Sequence, residues 1–150
     1  MAAAGGNVLG TITRWLGFVC GILTVLLWCF QLSSARPSIS VSTSDFLADV
    51  NKGSWRMALF SFVPNVFVDI WTPFVMGAVS ILCHLRMFHL EFITVNFAHF
   101  FAWNFVMALF GNIGYAGGVG VIVASFTLLT TLLSLICIIV CNENASLQLG

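Results

Sequence analysis

Between Phe92 and Asn142 the chain carries no Asp, Glu, Lys or Arg; Glu91 and Glu143 bracket the gap. A domain surrounded by water needs charge to cover its surface. So long an uncharged run belongs in a solvent that makes no such demand, the lipid bilayer. The remainder agrees, with 60% hydrophobic and only 7% charged residues. The expectation is an integral, multi-pass membrane protein.

A membrane pass takes about 20 apolar residues at about 1.5 Å rise each. A chain of 150 residues therefore has room for one transmembrane domain, residues 1–150, and little else. The expected fold is an all-α integral membrane four-helix bundle. Five basic residues balance five acidic ones, which gives no basic patch for nucleic acid and no polybasic stretch for anionic lipid. Met1–Val8 holds no positive charge, so it does not suit a cleavable signal, and the first apolar segment is expected to stay as a helix. All five cysteines lie in or beside apolar segments, where Cys acts as a small buried hydrophobe. Cys137 and Cys141, a turn apart, are the candidates for palmitoylation.

The apolar segments place helices at about 15–32, 66–85, 92–110 and 119–141. Four passes put both termini on one side. Arg14-Trp15 anchors the first helix, and Gly17 with Gly21 forms a GxxxG pair that allows close helix approach. The polar loop from Ser33 to Arg56 contains a short amphipathic pattern, Phe46, Leu47 and Val50 against Asp45, Asp49 and Lys52, expected as an interfacial helix. Pro64 suits the first turn of the second helix, whereas Pro73 interrupts its hydrogen bonding. Gly111 to Gly118 reads as a tight turn, and Gly120 with Ala124 opens the last helix at a packing spacing. Thr127, Thr131 and Ser134 can bond back to their own helix.

Polar groups inside apolar helices are the candidate site. Asp69 is the sharpest, as a proton or cation site or as an interfacial carboxylate near a helix start. Equal-depth pairing of the second and third helices sets Asn104 near Pro73. Its amide would then serve the Asp69 carbonyl that Pro73 leaves without a donor, with Tyr115 reaching the carboxylate. Asn96 and His99 are expected opposite Gly77–Ser80, where they could hold a headgroup or ion, or bond across helices. The three histidines lack metal-site spacing, and no nucleophile, triad or phosphate loop is present, so no metal, cofactor or catalytic residue is expected.

The layout resembles small eukaryotic tetraspans of the MARVEL type and the COPI-associated vesicle proteins of the late Golgi. Arg14-Trp-Leu-Gly17 entering the first helix, a longest loop after it, a tight turn with Arg86 and Glu91, and a Gly-rich entry to the last helix carry the resemblance. It implies a non-enzymatic role in vesicle or Golgi membranes, through packing with lipids, other membrane proteins or further copies of the chain. Two other readings stand beside it: an accessory subunit of a large energy-transducing complex, as in the mitochondrial inner membrane, and a small proton or ion conductor centred on Asp69. The polar C-terminus, expected to fray without a partner, favours the subunit reading.

Overall fold

A computed structural model describes residues 2–34, 63–88, 90–141 and 143–149. The amphipathic segment expected in the first loop lies outside the described residues. Helix α1 spans Ala2–Ser34, α2 Pro64–Leu82, α3 Phe97–Val106 and α4 Gly118–Val140. Arg86–Phe88 and Glu91–Ile93 are single 3-10 turns.

Each boundary has a local cause. Pro64 opens α2, where its missing N–H costs nothing, and Pro73 lies buried inside the same helix. The third helix starts at Phe97 and not near Phe92, because Asn96 is extended (φ −152°, ψ 170°) and its side chain accepts from the His99 N–H. It does not stop at Phe110 either. Met107–Asn112 continues it as a π-helical turn, closed by the Ile113 N–H donating to the Ala108 carbonyl at 3.1 Å. Gly117, with φ 61° and ψ −126°, then turns the chain into α4 through a conformation that favours glycine.

The helices alternate in direction. Arg14 in the first half of α1 meets Glu143 beyond the end of α4 at 2.7 Å, so the first half of α1 and the end of α4 lie at one end of the bundle. Gln31 and Asp69 meet at the other. α1 lies at the centre, packed on both α2 and α4, while α2 reaches the third helix mainly through its π turn. That turn is displaced from the expected register, since Gly111 faces Met76. Among the described residues three helices are long and apolar enough to cross a membrane: Val8–Leu32 within α1, Pro64–Leu82 and Gly118–Val140. The third is shorter, ten α-helical residues and a six-residue π turn.

Close approach of α1 to α2 depends on paired glycines. A Cβ on Gly77 would lie 2.9 Å from the Gly21 carbonyl, and one on Gly21 would lie 3.1 Å from the Ser80 Cβ. A Cβ on Gly17 would collide with the Phe100 ring, and one on Gly120 with the Tyr115 carbonyl. Ala124 is buried as well. All four packing positions expected from the sequence are thus filled by the chain's own residues.

The described C-terminal residues bond back to the bundle. Residues 143–149 fold back over the end of the bundle, and Ala145, fully buried, donates its N–H to Thr94 O at 2.9 Å. The Leu149 N–H donates to His84 O at 2.8 Å, and the Arg86 N–H donates to Leu149 O at 3.1 Å. Beneath the tail, Cys83, Ile93, Phe97, Phe100 and Cys137 form the apolar core. The described tail residues thus bond to the chain's own backbone and core.

Candidate functional site

The outward faces are apolar and the inner seam is not. Ile12, Ile22, Leu26, Phe126, Leu132 and Ile139 are exposed, whereas Thr13, Thr24, Thr127, Thr130, Thr131 and Ser134 are buried. This inverts the usual arrangement of a domain in water. Along α4, each of Thr127, Thr130, Thr131 and Ser134 donates to the carbonyl four residues back, as the sequence suggested for three of them. Their oxygens remain able to accept across the seam.

Asn112 joins three elements. Its Oδ1 accepts from Thr24 Oγ1 at 2.9 Å, and its Nδ2 donates to Thr127 Oγ1 at 2.9 Å. The Thr24 hydroxyl also lies 2.8 Å from Cys20 O, so its single proton is shared between two acceptors. Further along, Cys20 Sγ meets Thr130 Oγ1 and Thr13 Oγ1 meets Cys137 Sγ, each at 3.4 Å. Sequence reasoning missed Asn112 because Gly111 to Gly118 reads as turn. The signal was the spacing of Thr13, Cys20 and Thr24 on one face of α1.

At the Gln31 end, Asp69 is exposed in the second turn of α2. The donor to its carbonyl is Gln31 Nε2, at 3.2 Å, and not Asn104. Asn104 is fully buried and donates to Phe100 O of its own helix at 2.8 Å, because α1 rather than the third helix lies along this part of α2. Tyr115 does share a recess with Asp69, lined also by Gln31, Leu109, Phe110 and Gly114. Burial raises the Tyr115 pKa above the phenol range, a hydrogen bond from Thr72 lowers it, and the Asp69 charge raises it.

Asn96 and His99 form an exposed helix cap. Asn96 Oδ1 accepts from the His99 N–H at 2.9 Å and lies 2.8 Å from His99 Nδ1. The small residues expected opposite them, Gly77 and Ser80, face α1. The structure therefore brings Asp69 and Tyr115 together and leaves Asn104, Asn96 and His99 apart from them.

His84, two residues beyond α2, is the polar group the sequence did not single out. It is fully buried, edge-on to Phe18 and Phe100 with ring centroids 5.9 and 5.6 Å away. Its Nδ1 accepts from the Leu147 N–H at 3.2 Å. Burial first, and the Arg14 charge second, push its pKa down to about 4. Cys83 beside it is buried, which pushes its thiol up to about 12. A cavity of about 380 Å³ lies at this end, between Arg86, Thr94 and the tail residues Asn144, Ser146 and Gln148.

Comparison with protein-family models, with curated proteins and with solved structures finds no match to this chain. Among the described residues no three His, Cys, Asp or Glu side chains converge as a metal site. Cys137 is buried, out of reach of an acyl donor, whereas Cys141 is half-buried.

Proposed function

We propose that the chain is an integral membrane protein of four helices that works by packing against lipid and neighbouring membrane proteins, without catalysing a reaction. The observation that supports this most is the inverted distribution of polarity. Hydroxyl and amide side chains fill the seam between α1, the π turn and α4, while large apolar side chains cover the outside. Lipid offers helices no hydrophobic reason to associate, so polar bonds and close small-residue contacts take over that task. Both are present: the Thr24–Asn112–Thr127 junction and the Gly21–Gly77 approach.

The length of the bundle fits. Arg14 and Gln31, seventeen residues apart on α1, mark its two polar ends, roughly 26 Å at the α-helical rise. Trp28, Trp71, Phe67 and Phe74 cluster near the Gln31 end, with Trp28 and Phe74 centroids 4.7 Å apart. Such aromatic groups collect at headgroup level. The resemblance to the MARVEL-type and COPI-associated tetraspans is what supports vesicle or Golgi membranes as the proposed location.

Extraction of native membranes with alkaline carbonate tests the first half of the reading. The protein is expected to stay in the pellet, and release into the supernatant overturns it. Purification in mild detergent tests the second half. A monomer or small oligomer fits a free-standing tetraspan, and a fixed large complex shifts the reading to an accessory subunit.

A further inference from the structure

The recess at the Gln31 end holds about 360 Å³, more than ten times the volume one water occupies in the liquid, and it sits beside the Trp28–Trp71 aromatic cluster. Among the described residues that line it, the one charged side chain is the Asp69 carboxylate and none is basic. Gln31 presents a second feature. Its Nε2 is committed to Asp69 O, and its Oε1 is buried without a hydrogen-bond partner. A buried carbonyl oxygen is an acceptor that a ligand supplying positive charge or a proton can satisfy. The remaining walls are Phe110, Tyr115, Leu109 and Ile113.

From this combination we infer that the recess binds an organic ammonium group, with Asp69 as counter-ion. A metal ion such as calcium needs six or more oxygen ligands, and this recess offers one carboxylate, one amide oxygen and one phenol among apolar side chains. An alkylated ammonium asks for a single negative charge and for aromatic and aliphatic surface around its carbons. Asp69 supplies the charge, Phe110 and Tyr115 the aromatic surface. The raised Tyr115 pKa, to which Asp69 contributes, agrees with the two groups sharing one field. A choline headgroup has this chemistry and, on the membrane reading proposed above, lies at the level of the neighbouring aromatic cluster. A soluble quaternary amine has it too.

The full chain, reconstituted in nanodiscs of equal phosphatidylcholine and phosphatidylglycerol and released into a detergent without choline, tests the inference by native mass spectrometry of retained lipid. Phosphatidylcholine should exceed phosphatidylglycerol by about fivefold. Asp69→Asn should bring the ratio to parity, and Phe110→Leu, at an exposed position, should reduce it while the fold is kept. In a second arm tetramethylammonium is titrated into lipid-free protein. Saturable binding that Asp69→Asn abolishes, without lipid enrichment, assigns the recess to a soluble amine and sustains the inference. No enrichment and no saturable binding in the wild type overturns it, as does the same preference in wild type, Asp69→Asn and Phe110→Leu. The readout does not depend on any protein partner.

Discussion

The Leu147 N–H points at Nδ1 of His84 from 3.2 Å, so the tail is fastened to a ring nitrogen that must stay unprotonated. A protonated imidazole would set one donor against another. The folded pKa lies at about 4, below the ordinary 6.5, so the unfolded chain binds the proton first. Stability from this group is complete above about pH 6.5 and is lost as pH falls toward 4, by an amount on the order of 3 kcal/mol. His84→Gln, which keeps an acceptor but does not titrate, should flatten that part of the profile. The check is the difference between wild-type and variant unfolding midpoints at pH 7 and pH 4.5, in which carboxylates common to both cancel. Equal slopes refute it.

Removing the residues after Cys141 should uncover Cys83. Ser146 Oγ donates to Cys83 O at 3.3 Å, and Ala145 completes the core around the thiol. In the intact chain a thiol with a pKa of about 12 holds almost no thiolate at pH 7.5 and should resist maleimide. Peptide mapping of the truncated chain should show Cys83 modified at least about tenfold faster, since thiolate fraction and access rise together. An unchanged rate would mean that the tail does not cover this end.

Asn112→Ala should destabilise the bundle by about 2 kcal/mol, two interhelical hydrogen bonds at about 1 kcal/mol each. Thr24 and Thr127 keep their bonds to Cys20 O and Val123 O, so neither hydroxyl is left stranded. Reversible unfolding in mixed micelles measures the loss. A Thr24→Val, Asn112→Ala double variant should cost clearly less than the two single changes added together, because both remove the same bond.

Gly77→Leu should prevent α1 and α2 from closing, because the added side chain meets the Gly21 carbonyl and the backbone N of Val25 at 2.9 Å. A loss of more than about 3 kcal/mol, or failure to fold, is expected from overpacking against backbone. Gly118→Ala is the matched control: nothing lies within 4 Å of its added Cβ, and a change within about 0.5 kcal/mol is expected. The thermal midpoint in one detergent compares the pair. A mild Gly77→Leu variant would show that this approach is dispensable.

Much of this architecture is written in local chemistry. The uncharged run from Phe92 to Asn142 admits only apolar helices, Pro64 starts one, and the glycines near 117 end the turn before another. Thr127 and Ser134 bond to their own backbone whatever surrounds them. These features concern residues a turn apart, where the chain itself fixes the distance. Which helix lies beside which does not follow from them. The sequence paired the second helix with the third and gave Asn104 to Asp69; instead α1 fills that place, because Gly21 and Gly77 let two backbones meet. Gln31 then reaches the carbonyl that Pro73 leaves open. Asn112 faces the seam through a π turn that no short-range pattern announces, and the polar tail is held by Thr94 and His84, residues far from it along the chain. Composition determined that the helices are apolar, and local spacing where they begin and end. Packing alone decided the partners of the polar groups, because a hydrogen bond between distant residues depends on how closely the backbones that carry them can approach.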